Sequence, residues 1–186
     1  MTLRRTFLKR SAVLASALGA PALAMAAPAP ARATTAAAMR ERTLRMYNTH
    51  TGESIRSTYW ADGRFVPDAI SDINHLLRDH RNNKVAPIDP RLLLLLDQVS
   101  TAVKPGSVVH IISGYRSPES NQLLADTTDG VAKHSMHLDG RAIDVRMPGA
   151  PLTSVRQAAM QAGGGGVGYY ADSQFVHLDT GRVRHW

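Results

Sequence analysis

Apolar and polar residues alternate over two short stretches near the start of the folded part of the chain. Thr43–Tyr47 and Ser54–Tyr59 both show the two-residue period of a strand, and Thr51-Gly52 between them is typical of a turn. We therefore predict a β-hairpin here. Other short apolar runs predict further strands at Val108–Ile112, Ala142–Arg146, Val167–Tyr170 and Gln174–Asp179.

Helical spacing of apolar residues marks a second class of segments. It runs through Ala69–Asp79 and through Arg91–Val103, where Asp89 is placed to cap the helix start. Two more helices are predicted, one capped by Ser117 and one over Ser154–Ala162. Together the elements predict an α+β fold in which helices flank a small, mostly antiparallel sheet.

The first 42 residues follow a different pattern. Arg4-Arg5 and two further basic residues precede an uncharged apolar run at Ala12–Ala26. This run is shorter than the ~20 residues that span a bilayer, which favours a signal peptide over an anchor. We predict a twin-arginine-type signal peptide at residues 1–26, a flexible Ala- and Pro-rich linker at 27–42 and a folded domain at 43–186, exported to the periplasm.

The net charge and the absence of cysteine limit the partners and the metal ligands that the chain can have. The net charge is +7, but four basic residues fall in the predicted signal peptide, so the remainder carries only +3. Such mild basicity does not indicate a nucleic-acid partner. The sequence contains no cysteine, which excludes disulfides and thiolate metal sites. Any metal must therefore be held by His, Asp or Glu.

Two histidines and one aspartate are candidates for such a site. His137 precedes the predicted strand that carries Asp144, and His177 lies on a later predicted strand. If the two strands are neighbours, the three side chains can meet at one point. Two imidazoles and a carboxylate with an open fourth position are the ligand set of a catalytic zinc site. Spacing alone is unspecific, because a strand histidine is often structural.

A family resemblance adds to this pattern. The motif Ser-x-His-x-x-Gly-x-Ala-x-Asp at residues 135–144, with His177 further on, resembles the zinc motif of D-Ala-D-Ala carboxypeptidases and dipeptidases. Their superfamily also includes lysostaphin-type endopeptidases and the hedgehog N-domain. The closer resemblance is to the murein endopeptidase K group of cell-wall hydrolases. It continues in order through Asn48–Glu53, Leu76–Arg81, Ile112–Pro118, Gly165–Tyr170 and Phe175–Gly181.

The resemblance implies a hedgehog or D-Ala-D-Ala peptidase-like fold with Zn²⁺ held by His137, Asp144 and His177. Arg116 resembles the arginine that faces the substrate carbonyl, where a guanidinium can stabilise a developing oxyanion. The alternative for Arg116 is a surface residue at a turn. Related enzymes place a general base two or three residues before the last histidine ligand, but this chain has Phe175 and Gln174 there.

The base must then come from elsewhere. Asp179 is the first candidate, because it shares a strand face with His177. An equally weighted alternative is that Asp179 orients the ring of that ligand. His134 is a weaker candidate for the base. We expect the other histidines to be structural or solvated, with His185 reaching the site only through packing of the final residues.

The predicted function is hydrolysis of peptide cross-links in bacterial peptidoglycan by an exported zinc metallopeptidase. One alternative is a D,D- or L,D-carboxypeptidase that acts on uncross-linked stem peptides. Another is a zinc-stabilised wall-binding module without activity, because a fold by itself does not establish catalysis. The expected partner is peptidoglycan peptide, with no nucleic acid and no membrane span after signal-peptide removal.

Overall fold

A computed structural model describes residues 40–127 and 134–186 of the chain. The predicted signal peptide and most of the predicted linker therefore lie outside the described residues. The strands are β1 Arg42–Asn48, β2 Ser54–Ala61, β3 Arg64–Phe65, β4 Val109–Ser113, β5 Ala142–Arg146, β6 Gly166–Tyr170, β7 Phe175–Asp179 and β8 Arg184–His185. The helices are α1 Pro67–Leu76, α2 Pro90–Val103, α3 Pro118–Thr127 and α4 Leu152–Ala162, with a 3-10 helix at Met136–Asp139.

The eight strands form one sheet in the order β3-β2-β1-β4-β5-β7-β6-β8. Strand β1 pairs in parallel with β4, and β6 pairs in parallel with β8, whereas the other neighbours are antiparallel. The α+β class is confirmed, but the prediction of a small, mostly antiparallel sheet is corrected to a larger, mixed one. The parallel β1–β4 pair arises because the connection between these strands passes through α1 and α2.

Most predicted elements are present with shifted ends. Asp89 caps α2 as predicted, because its side chain accepts a hydrogen bond from the Arg91 amide at 3.0 Å. Helix α1 begins earlier than predicted, at Pro67, whose fixed φ suits the first helical turn. Strands β3 and β8 were not predicted. They contain two residues each, too few to show a period.

The two faces of the sheet around β5, β6 and β7 differ sharply. Val167, Val176, Leu178 and neighbouring apolar residues of these strands join the buried core, together with residues of α1, α2 and α4. Strand alternation directs the intervening residues to the opposite face, which we call the site face. It carries Ala142 and Asp144 of β5, Gly166, Gly168 and Tyr170 of β6, and Phe175, His177 and Asp179 of β7.

The helices of the described residues are short. Among residues 40–127 and 134–186, none has the length and apolar character needed to cross a membrane. Helix α2, the longest at 14 residues, is instead buried by packing inside the domain: Leu92, Leu93 and Leu96 are at most 1% exposed. Its apolar run therefore supplies the core beneath the sheet.

Candidate metal site

The three predicted ligands converge on the site face. Asp144 and His177 are directly opposite each other in the β5–β7 register, and His137 lies on the 3-10 helix just before β5. One ligand atom from each of the three lies within 4.8 Å of the other two, and all three residues are buried. The closest pair is His177 Nδ1 and Asp144 Oδ1, at 2.8 Å.

The hydrogen bonds of the two rings determine which nitrogens face inward. His137 Nδ1 lies 2.7 Å from the carbonyl oxygen of Gly114, which can only accept, so this nitrogen carries the proton. Its Nε2 is then unprotonated and faces the cluster, 3.3 Å from His177 Nδ1 and 3.4 Å from Asp144 Oδ2. His177 has a carboxylate at each nitrogen, with Asp179 Oδ2 at 3.2 Å from Nε2 and Asp144 Oδ1 at 2.8 Å from Nδ1, so both nitrogens donate. The His137 ring presents an electron pair to the cluster, and the His177 ring does so from Nδ1 once that nitrogen releases its proton.

The charges of the cluster agree with these hydrogen bonds. Burial alone would raise the pKa of Asp144, but the neighbouring His137 and His177 outweigh it and hold this pKa well below its usual range. Burial lowers the pKa of His177, yet its contacts with Asp144 and Asp179 outweigh burial and raise the pKa above normal. Asp144 is therefore an anion over the whole physiological range.

Two irregular backbone segments next to β5, a bulge in β4 and the 3-10 helix, position Asp144 and His137. Strand β4 has one extra residue opposite β5, between the pairs Ile111–Val145 and Ser113–Asp144. Such a bulge increases the local twist and re-aims side chains. On the other side, Ser135 caps the 3-10 helix through its side chain, which accepts from the His137 amide. The helix ends at Gly140, in the left-handed conformation with φ of 64°.

Gly140 is expected to be more sensitive to substitution than Gly163, which ends α4 with the same φ of 64°. A Cβ on Gly140 would lie 2.2 Å from the Pro87 carbonyl oxygen, whereas a Cβ on Gly163 meets nothing within 4 Å. Gly163→Ala should lower the free energy of unfolding by about 1–2 kcal/mol, because alanine disfavours the left-handed φ. Gly140→Ala should lower it by about 1–3 kcal/mol more, because the added Cβ also clashes with the Pro87 carbonyl. Urea unfolding of the two variants measures the difference, and equal losses would contradict it.

Asp179 lies behind His177, on the far side of the ring from the ligand cluster. It is fully buried and accepts hydrogen bonds from the amides of Gly166 at 3.0 Å and Gly181 at 2.8 Å. Arg184 adds two more, at 3.1 and 2.7 Å. Burial would raise the pKa of Asp179, but these bonds and that of His177 keep it well below its usual range. This is the geometry of a group that orients a ligand ring.

Arg116 lies in the loop that supports His137. Its amide donates to the His137 carbonyl at 3.1 Å, and two residues earlier the Gly114 carbonyl accepts from the His137 ring. The loop and the 3-10 helix are therefore joined at two points. Its Nη1 donates to Asn121 Oδ1 at 3.4 Å, while Nε is buried without a hydrogen-bond partner among the described residues. Burial lowers the pKa of Arg116, and Asp144 is near enough to oppose that shift.

Neither residue at the usual base positions supplies a general base. Gln174 is exposed in the turn between β6 and β7, where its side chain donates to the Ala171 carbonyl. Phe175 stacks on Tyr170, with ring centroids 4.5 Å apart. His134 is exposed three residues before His137. The prediction that Gln174 begins β7 is also corrected, because its φ of 56° is left-handed rather than extended.

Two other histidines form a stacked pair. The rings of His50 and His80 lie parallel, with centroids 3.8 Å apart. Burial, helped by Arg81 and His50, lowers the pKa of His80 to about 4, so this ring is neutral at physiological pH. His185 lies in β8 beside a surface cavity of about 410 Å³ lined mainly by α4.

Sequence reasoning missed Arg184 and Trp186 on the site face. Arg184 contacts Asp179, and the indole of Trp186 lies 5.4 Å from the His177 ring. No period in the sequence could have revealed them, because they reach the site through the pairing of β8 with β6.

Comparisons with known proteins agree with one another. Residues 36–186 match the family described as peptidoglycan L,D-endopeptidase MepK. The peptidoglycan L,D-endopeptidase MepK of Escherichia coli (strain K12) is 44% identical over 171 residues, covering 91% of this chain and 93% of that protein. A probable peptidoglycan L,D-endopeptidase MepK of Haemophilus influenzae is 37% identical over 148 residues, covering 79% of this chain and 80% of that protein.

Among solved structures, the crystal structure of Serratia marcescens L-Ala D-Glu endopeptidase ChiX covers 60% of this chain and 86% of that chain. The two are 17% identical and superpose with a TM-score of 0.36. At this level the similarity identifies neither activity nor substrate.

Proposed function

Because the chain belongs to the peptidoglycan L,D-endopeptidase MepK family, we propose that it hydrolyses peptide cross-links of bacterial peptidoglycan at a zinc centre. The observation that carries this proposal is the convergence of His137, Asp144 and His177 within 4.8 Å. Two imidazole nitrogens and a carboxylate oxygen suit zinc, which prefers such ligands and leaves a fourth position open in catalytic sites.

The site holds both rings with one nitrogen toward the ligand cluster. The Gly114 carbonyl and Asp179 bind the outer nitrogens of the two rings, so a metal would meet His137 Nε2 and, once its proton is released, His177 Nδ1. Asp144 is anionic at neutral pH and supplies the negative charge. Zinc held there supplies an acidified water and polarises the scissile carbonyl.

Arg116 is proposed to stabilise the negative charge that develops on the carbonyl oxygen. Its main chain donates to the carbonyl of His137, a proposed ligand, and its guanidinium is near enough to Asp144 for that carboxylate to oppose the lowering of its pKa by burial. A guanidinium held in a dry site favours charge that appears during the reaction, and it does so without reorganisation.

Asp179 is proposed to orient His177. Asp179→Asn should then lower zinc affinity by about 10–100-fold, with activity falling as zinc is lost, because the amide holds the outer nitrogen less firmly than the carboxylate. Zinc titration and turnover of the variant measure both effects, with the exposed Asp172→Asn as the control. A loss of about 10²–10⁴-fold in kcat at unchanged zinc affinity would instead make Asp179 the general base.

The function itself is tested by incubating the purified mature protein and zinc with isolated sacculi and resolving the products by mass. Monomeric stem peptides released from cross-linked dimers support the endopeptidase. Release of single D-alanine from uncross-linked stems would establish a carboxypeptidase. Binding to sacculi without any product would identify a non-catalytic wall-binding module.

We also propose that residues 1–26 direct the chain to the periplasm and are removed, with 27–42 as a linker before the peptidase domain. The support is the order of Arg4-Arg5, an apolar run and small residues. The double change Arg4→Lys and Arg5→Lys should leave the precursor in the cytoplasm, while Arg10→Lys should be exported. Cell fractionation measures both, and normal export of the double variant would contradict the proposal.

A further inference from the structure

Strand β8 brings a rigid aromatic surface next to the ligand cluster. Because β8 pairs in parallel with β6, with Gly166 opposite Arg184, alternate residues of this segment reach the site face. Arg184 and Trp186 lie on that face, whereas His185 lies beside a cavity on the α4 side. The Trp186 ring centroid is 5.4 Å from that of His177.

The indole occupies space that Gly168 leaves open. Gly168 is opposite His177 in the β6–β7 register. A Cβ on Gly168 would lie 2.7 to 2.9 Å from three atoms of the Trp186 indole. The indole therefore lies directly against the backbone of β6, beside a metal ligand. Any larger residue at position 168 would displace it.

Several contacts hold Trp186 in this position. Its Nε1–H donates to the Tyr170 hydroxyl at 2.8 Å, and Tyr170 in turn stacks on Phe175. The Arg184 guanidinium lies 4.8 Å from the indole centroid and is itself bound to Asp179. Despite these contacts Trp186 is 47% exposed and Tyr170 38% exposed. A large aromatic surface is thus held firmly and left open to solvent at the edge of the site.

We propose that Trp186, held by Tyr170, forms one wall of the substrate groove and contacts the hydrocarbon stem of the stem-peptide residue next to the scissile bond. This rests on the proposed peptidoglycan endopeptidase activity. Aromatic rings offer a large contact area at a small loss of side-chain entropy, and fixed apolar walls beside a few polar groups are typical of ligand sites. The indole N–H is already bonded, so the apolar ring is the part left for substrate.

The test compares Trp186→Ala and Trp186→Phe with Trp60→Phe, the sequence's other tryptophan, which lies on β2. Two synthetic cross-linked peptides serve as substrates, one with diaminopimelate beside the scissile bond and one with alanine there. For the first, Trp186→Ala should raise KM by about tenfold or more, the usual effect of lost contact with a few methylene groups. For the alanine peptide, KM should change less than threefold. Zinc content should remain that of the unaltered protein in every variant.

Intrinsic fluorescence gives an independent measurement. In Trp60→Phe the emission comes from Trp186 alone and should shift when the diaminopimelate peptide is added to metal-depleted protein. In Trp186→Phe the emission comes from Trp60 alone and should not. An equal change in KM for both peptides in Trp186→Ala relative to the unaltered protein, or lower zinc affinity without a change in KM, would overturn the proposal. If the unaltered protein cuts neither peptide, the proposed function fails instead, which is a separate result.

Discussion

His177→Ala is expected to abolish metal binding and peptide hydrolysis together. The imidazole of His177 lies between Asp144 at 2.8 Å and Asp179 at 3.2 Å, so its removal takes away one proposed ligand and one hydrogen-bond partner of each buried carboxylate. Metal-assisted polarisation is worth several kcal/mol, so turnover should fall by about 10³-fold or more. Zinc per chain should fall from one to near zero, as measured by mass spectrometry of the native protein.

Variants of the other two ligands should behave in the same way. His137→Ala and Asp144→Ala are each expected to lose zinc and activity, whereas the exposed His75→Ala should keep both. Acid should also release the metal, because protons compete with zinc for the ring nitrogens. Full zinc occupancy and activity in His177→Ala would mean that the metal is held elsewhere.

Arg116→Ala should have the second largest effect, a fall of about 10²–10³-fold in kcat with zinc content unchanged. The reason is that its guanidinium does not hold the metal but lies near enough to Asp144 for that carboxylate to oppose the lowering of its pKa by burial, which places a positive charge beside the ligand cluster. Arg116→Lys should recover only part of the loss, because an ammonium cannot reproduce the planar fork of donors. Steady-state kinetics with the cross-linked peptide measures kcat and KM separately.

A surface arginine provides the control for this experiment. Arg45 is exposed on β1, and within residues 40–127 and 134–186 its side chain donates only to the Gly106 carbonyl, so Arg45→Ala should leave kcat within twofold of the unaltered protein. If Arg116→Ala raises KM with kcat unchanged, the guanidinium binds ground-state substrate rather than the transition state. If it loses zinc, Arg116 instead supports the loop that carries the His137 contact.

Local patterning was sufficient for most elements of the fold. The β1–β2 hairpin, α2 with its Asp89 cap and the strands β5 and β6 follow from periods of two or 3.6 residues and from turn residues between them. Strands β3 and β8 could not be predicted in this way. Each has two residues and exists only because it pairs with β2 or β6.

Strand direction is a property of the chain as a whole. Alternation shows that a segment is a strand, but it does not indicate which neighbour it will pair with or in which direction. The β1–β4 pair is parallel because two helices separate the strands along the chain. The prediction of a mostly antiparallel sheet assumed that neighbours in sequence pair with each other.

For the site, the sequence by itself determined the residue types: with no cysteine, a metal could be offered only His, Asp and Glu, and the resemblance of the motif to a zinc peptidase family pointed to His137, Asp144 and His177. Only the tertiary structure decided how they are used. The ring nitrogens that face inward depend on partners far along the chain, such as the Gly114 carbonyl. Likewise, Asp179 lies behind His177, and Trp186 beside it, because strand pairing brings distant residues to one face.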